Sequence, residues 1–238
     1  MRELGRVVGH IPARAGSVRV RSKNLRYISG KPLLSYSIEA ALDCSELDEV
    51  VVNTDGDDIS ALAKECGAKV FRRDLELASD TASGDAFTYD FMMKYPVDTL
   101  VMISPVCPLV TSHDITQALQ VFRESDADTL IASTETQMQT FCLNKPVNID
   151  LDGPLAPSQN NSTVQILNWA VTIWDCAAYK HHYEADGHAY IGRKRILLPI
   201  DPLCAIKIST EKDFKTAETL LISQSMQKDH TPQYWRPK

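Results

Sequence analysis

Residues 11–24, IPARAGSVRVRSKN, place four cations (Arg14, Arg19, Arg21 and Lys23) within ten positions, among the small residues Gly16, Ser17 and Ser22. They follow directly on a short apolar stretch, 6–11, that reads as a strand. Small residues let backbone amides approach a ligand, and guanidinium and ammonium groups donate to phosphate oxygens. The segment therefore reads either as a polyphosphate cradle at the end of a first strand or as a solvated basic loop. Its spacing matches neither G-x-x-x-x-G-K-[ST] nor G-x-G-x-x-G.

Working outward, apolar runs alternate with helical patterns. Residues 49–53 (EVVVN), 69–71, 99–104 (TLVMIS), 129–133 and 166–173 read as strands. Segments 32–41, 58–65, 82–95, 114–124 and 210–223 carry helical spacing; Gly67 ends the second and Pro96 the third. This order predicts an α/β fold, a mainly parallel sheet flanked by helices. Ligands of such sheets bind beyond the carboxyl ends of the strands, which selects 12–24, 54–55, 72–73 and 104–110. Residues 135–164, rich in Asn, Pro, Gln and Ser, read as an arm, lid or subunit-contacting insert, and the tail as loose.

At 238 residues the chain can bury a sizeable core, and its net charge of −6 disfavours general nucleic-acid or membrane-surface binding. No apolar run reaches membrane-spanning length. The N-terminus lacks a signal-peptide core, and six scattered cysteines without a C-x-x-C pair suit a cytoplasmic location. Asp55 follows a buried strand, where it meets a ribose or metal, or else Asp55 or Asp57 caps the next helix. Arg72 and Arg73 end a short strand on the ligand side, and Asp80 or Thr81 reads as the following cap. Cys107 lies between two prolines with no base spaced to activate it and reads as a packed thiol. His181, His182 and His188 read as surface residues.

The segments IPARAGSVRVRSKN, ISGKPLLSYSI, NTDGDDISALAKECGAKV, RRDLELASDTAS, SPVCPL, NWAVTIW and ISTEKDFKTAE stand in this order from 11 to 218. In that order they resemble the acylneuraminate (CMP-sialic acid) cytidylyltransferases, a family that includes synthetases for other nonulosonic acids. The resemblance implies a nucleotide-diphospho-sugar transferase (Rossmann-like) fold in a single domain over 1–227. Residues 135–164 become a dimer-contacting arm and 228–238 a loose tail. It implies CTP and a sialic-acid-like 2-keto sugar acid as substrates, a CMP-sugar for surface glycans and pyrophosphate as products, Mg²⁺ as cofactor, and a homodimer.

By the same resemblance Arg14, Ala15, Gly16, Ser17, Lys23, Asn24, Arg73 and Ser83 meet CTP, with Lys23 and Arg14 stabilising charge during transfer. Ser104, Asn168 and Tyr190 face the sugar acid. The chain departs from the family at several of these points. The proline loop begins at Ser104 where the family has Gln, and ends at Val110 where it has Arg. Ser158 replaces an Arg of the arm. The family's metal-binding D-I-D is here Lys207, Ile208 and Ser209, leaving the metal ligands unknown, with Asp55, Asp201 and Asp213 as alternatives. These losses admit a second expectation, a nucleotide-binding regulatory homologue without catalysis, and a lesser variant, a CMP-Kdo-like synthetase.

Overall fold

A computed structural model describes residues 2–16 and 20–225. Its strands, in chain order, begin with β1 (Val7–Pro12), the small hairpin β2 (Tyr27–Ile28) and β3 (Lys31–Pro32), β4 (Glu49–Thr54), β5 (Lys69–Arg72) and β6 (Thr99–Ile103). They continue with β7 (Thr129–Thr136), the hairpin β8 (Phe141–Cys142) and β9 (Lys145–Pro146), β10 (Val164–Asp175) and β11 (Arg195–Pro199). The helices are α1 (Leu33–Leu42), α2 (Asp57–Glu65), α3 (Gly84–Lys94), α4 (Ser112–Glu124), α5 (Cys176–Asp186) and α6 (Glu211–Ser225).

Seven strands form one sheet in the order β11-β7-β10-β6-β1-β4-β5. All neighbours are parallel except β10, which runs antiparallel to both β6 and β7. The mainly parallel reading holds. Apart from the two short hairpins β2–β3 and β8–β9, two elements were not legible in the sequence, α5 and the edge strand β11.

Val50 and Val52 join one apolar layer with α1, α2 and α4, whereas Val51 faces the other with Phe91 of α3 and Tyr179 of α5. A strand covered on both faces has no polar side, which is why Val50, Val51 and Val52 run consecutively. A third small core joins Val20, Ile28 and Leu33 to Ile208 and to Phe214 of α6. It fastens the end of the basic segment to the strap before α6.

Residues 135–164 are mostly exposed. They leave on β7 and return on β10, which pair at Thr136 and Val164, so the segment is an excursion carrying the hairpin β8–β9. The tail 228–238 and Ser17 lie outside the described residues.

Candidate active site

From β1 the chain builds outward through β4 and β5, then returns to place β6 on the other side of β1. The connections therefore diverge above the carboxyl ends of β1 and β6, opening a crevice. A cavity of about 420 Å³ lies there. Its walls include Pro12 from the end of β1, Ser104 just after β6, Gly84 at the start of α3, Trp169, Tyr190 and Lys207.

Trp169 reaches this cavity through a break in β10. The pairing of β10 with β7 shifts register between Leu167 and Thr172, and Trp169 adopts φ 61°, a left-handed conformation unusual for a large side chain. Asn168 Oδ1 accepts from the Ala170 amide (3.0 Å) and holds the break in place. Bulges commonly re-aim a side chain beside a site.

Tyr190 is fixed from several sides. Its ring packs on Trp169 (5.4 Å) and edge-on to Trp174 (4.8 Å), whose indole donates to the Tyr190 carbonyl (2.8 Å). Asp85 Oδ1 accepts from the amides of Ala189 (2.6 Å) and Tyr190 (2.8 Å). Burial first, and Asp85 second, push the phenol's pKa up, so the hydroxyl stays neutral. A Cβ on Gly84 would stand 3.0 Å from the Tyr190 ring, so α3 starts this close only because position 84 has no side chain.

The basic segment lines a second cavity of about 340 Å³, with Arg14, Ala15 and Asn24 facing Gly56 and Asp57 at the start of α2. Arg14 pairs with Asp80 (2.7 Å) and donates to the Ala78 carbonyl (3.3 Å). Asn24 Nδ2 donates to the Arg14 carbonyl (3.2 Å), and its buried Oδ1 has no partner among the described residues. Lys23 Nζ donates to the Ile208 carbonyl (2.8 Å). Gly16 is exposed, and among the described residues nothing lies within 4 Å of where its Cβ would stand, so their packing does not require a glycine there.

Asp55 Oδ1 accepts from the Ala15 amide (2.9 Å). Neither Asp55 nor Asp57 caps α2; the N-cap is Gly56, and Asp55 instead ties the basic segment to the end of β4. The cap of α3 also differs from the sequence reading. Ser83 accepts from the Ala86 amide (3.1 Å), because Asp80 is engaged by Arg14 and Thr81 precedes the helix by three residues.

Arg73 is 7% exposed, and among the described residues it makes no carboxylate ion pair within 4.0 Å. Its Nε donates to Asn53 Oδ1 (2.9 Å) and its Nη2 to the Asn53 carbonyl (3.1 Å), with the guanidinium 4.3 Å over the Phe87 ring. Burial lowers its pKa to about 10, which leaves it charged at neutral pH. Asn53 Nδ2 in turn donates to Nε2 of the fully buried His10 (3.0 Å). Assigning the ring proton to Nδ1 follows from that bond. Burial, reinforced by Arg73, lowers the His10 pKa to about 3.

The sequence reading missed this His10–Asn53–Arg73 chain. Its one signal was a polar residue inside each of two apolar strands. His182 is another correction, half-buried and 3.4 Å from Asp128 rather than on the surface.

The expected site residues thus separate. Arg14, Ala15 and Asn24 share one cavity, and Ser104 and Tyr190 share the other. Lys23, Arg73, Ser83 and Asn168 line neither, and each holds a neighbouring element instead. Cys107 is fully buried and burial raises its pKa, as a packed thiol requires.

The residues present do not fit a carboxylate-held Mg²⁺. Lys207 brings an ammonium to the cavity, and the Ser209 amide donates to Asp213 (2.9 Å), which caps α6. Of the alternatives, Asp55 holds Ala15, and Asp201 accepts from the Leu203 amide (2.8 Å). Among the described residues no group of three His, Cys, Asp or Glu is placed to hold a metal ion.

The family model for cytidylyltransferases matches residues 8–230. The N-acylneuraminate cytidylyltransferase of Escherichia coli O18:K1:H7 is 29% identical over 94% of this chain, which spans only 54% of that relative's length. The CMP-N,N'-diacetyllegionaminic acid synthase of Legionella pneumophila is 28% identical over 89% of this chain and 91% of its own. A pseudaminic acid cytidylyltransferase of Campylobacter jejuni is 35% identical over 57% of this chain and 62% of its own. In fold, a CMP:2-keto-3-deoxy-manno-octonic acid synthetase complexed with CTP superimposes with a TM-score of 0.69 at 16% identity, covering 92% of this chain and 100% of that one. The order of motifs, the sheet topology and the match over nearly the whole length agree, and the chain belongs to the cytidylyltransferase family, the acylneuraminate type that its sequence resembles.

Proposed function

We propose that this chain transfers CMP from CTP to a sialic-acid-like 2-keto sugar acid of the nonulosonic class. The observation that carries this reading is the pair of cavities at the carboxyl ends of the strands, one lined by the basic segment and the other by Trp169 and Tyr190. The anomeric hydroxyl oxygen bonds to the α-phosphorus, and its proton passes to solvent. The bond from that phosphorus to the bridging oxygen breaks, and pyrophosphate leaves with the electron pair.

In this scheme Arg14 exchanges Asp80 for phosphate oxygens, and Lys23 stabilises the charge that grows on them. Arg73, held from behind by Asn53, supplies a fixed cation near the nucleotide. The neutral Tyr190 and Trp169 form the apolar wall for the sugar acid. The expected Mg²⁺ has no carboxylate cage in this reading. Exposed apolar residues of the 135–164 excursion, Met138, Leu143 and Leu155, support a homodimer in which this arm meets the second copy. Six unpaired cysteines suit the cytoplasm, where CTP is available, and among the described residues no helix is long and apolar enough to cross a membrane.

A second reading, a nucleotide-binding homologue that has lost transfer, is favoured by Lys207 and Ser209 in place of acidic residues. Pyrophosphate release from CTP, screened over N-acylneuraminate, legionaminic and pseudaminic acids and Kdo, separates the two. Turnover with a nonulosonic acid, abolished by Lys23→Ala, is expected. CTP binding without pyrophosphate from any of these acids favours the second reading.

A further inference from the structure

We propose that the Lys207 ammonium is a fixed phosphate-binding cation, which lets this chain hold the triphosphate of CTP without a protein-bound divalent metal. The proposal rests on CTP being the nucleotide.

The first support is position. Lys207 lines the cavity at the β1–β6 crevice, together with Pro12 and the loop after β6. Among the described residues its side chain makes no hydrogen bond or ion pair, so none of them neutralises its charge directly. The one carboxylate on that cavity, Asp85, has Oδ1 committed to the amides of Ala189 and Tyr190.

The second support is that the backbone carrying Lys207 is held. The next residue, Ile208, is fully buried in the small core with Val20, Ile28 and Phe214. Its amide donates to the Val106 carbonyl (2.9 Å), and its carbonyl accepts from Lys23 Nζ (2.8 Å). Two ammonium groups, one from the basic segment and one from the strap before α6, are thus tied to the same residue. Both lie near enough to the buried Cys107 to favour its thiolate, although burial outweighs them. A flexible surface lysine has no such anchorage.

The third support is the absence of a competing arrangement. Asp55, Asp201 and Asp213, the alternative carboxylates, each accept from a backbone amide, and no group of three metal-binding side chains exists among the described residues. A polyphosphate entering this crevice meets Lys207 as a localised single charge on the chain itself.

The test is calorimetric titration of the full chain with CTP and with CMP, in EDTA and in Mg²⁺. For the unaltered chain, removing Mg²⁺ is expected to change the Kd for CTP by less than about threefold. Lys207→Ala, at an exposed side chain, is expected to weaken CTP in EDTA by about tenfold or more, and CMP by less than about twofold, because a charge-assisted contact to the outer phosphates is lost. The double variant Lys207→Asp with Ser209→Asp should bind CTP tightly only when Mg²⁺ is present. The proposal is overturned if CTP binds the unaltered chain only with Mg²⁺, or if Lys207→Ala binds CTP in EDTA as the unaltered chain does. No CTP binding in any condition by a chain with a normal circular dichroism spectrum defeats the cytidylyltransferase reading, and this inference with it.

Discussion

The His10 ring makes stability depend on pH in a direction and size that can be worked out. His10 is fully buried, and its pKa falls from 6.5 to about 3 on folding, mainly by desolvation and further by Arg73. Between those values the unfolded chain binds a proton that the folded chain refuses. Protons bound in the unfolded state exceed those in the folded state, so this contribution makes stability rise with pH across that window and fall as pH drops below 6.5. Each pH unit well inside the window is worth about 1.4 kcal/mol, so going from pH 7 to pH 5 costs about 2 kcal/mol from this ring alone.

Histidine-to-glutamine substitution isolates the effect. His10→Gln keeps an acceptor for Asn53 Nδ2 and removes the titration. Urea unfolding followed by tryptophan fluorescence at pH 7 and pH 5 gives the stability loss for each chain, and the other five histidines cancel in the difference. The unaltered chain should lose about 2 kcal/mol more than His10→Gln. Equal losses, to within about 0.5 kcal/mol, would refute the assignment of His10 as a buried neutral ring.

Asn53→Ala removes the acceptor of Arg73 Nε and the donor to His10 at once, leaving two buried polar groups short of a partner. It should destabilise the chain by about 3 kcal/mol in urea unfolding and weaken CTP in titration, because Arg73 loses its support. Gly84→Ala puts a methyl group 3.0 Å from the Tyr190 ring, a clash costing about 1–3 kcal/mol. Steady-state kinetics should show a higher KM for the sugar acid with the KM for CTP little changed. Trp169→Gly relieves the left-handed backbone by about 1 kcal/mol while deleting an apolar wall of the cavity. The melting temperature should stay close to that of the unaltered chain while the KM for the sugar acid rises by about tenfold.

The sheet was legible because its central strands are covered on both faces. Val50–Val52 and Leu100–Ile103 are apolar on both faces, so no helical pattern competes, and Pro12 and Ser104, selected beyond the carboxyl ends of strands, line a cavity there. Residues 176–199 were not assigned. Helix α5, CAAYKHHYEAD, has no clean apolar stripe, since it buries chiefly Cys176 and Tyr179, and β11 is a short edge strand. The break at Trp169 was also invisible. Nothing local in QILNWAV demands a left-handed tryptophan; the conformation is imposed by pairing with β7 on two registers, a contact thirty or more residues away.

The polar groups show the same boundary more sharply. The family resemblance set Arg73 near the nucleotide as an expectation, and capping preference suggested Asp55 or Asp57 at the start of α2. The capping judgement used only neighbours along the chain. In the fold Asp55 meets Ala15 across the crevice, and Arg73 sinks beneath Phe87 onto Asn53. Each contact joins β4 or its end to another strand's loop, so each depends on β1, β4 and β5 lying side by side. Lys207 follows the same logic in the opposite sense. As a substitution in a motif it signals a lost metal ligand. With its backbone strapped by Val106 and Lys23 through Ile208, it is a charge delivered to the crevice. Loss of acidic ligands therefore does not by itself imply loss of phosphate binding. The cation has moved from solution onto the chain, and what it gives up is the geometry a divalent ion imposes on the phosphates.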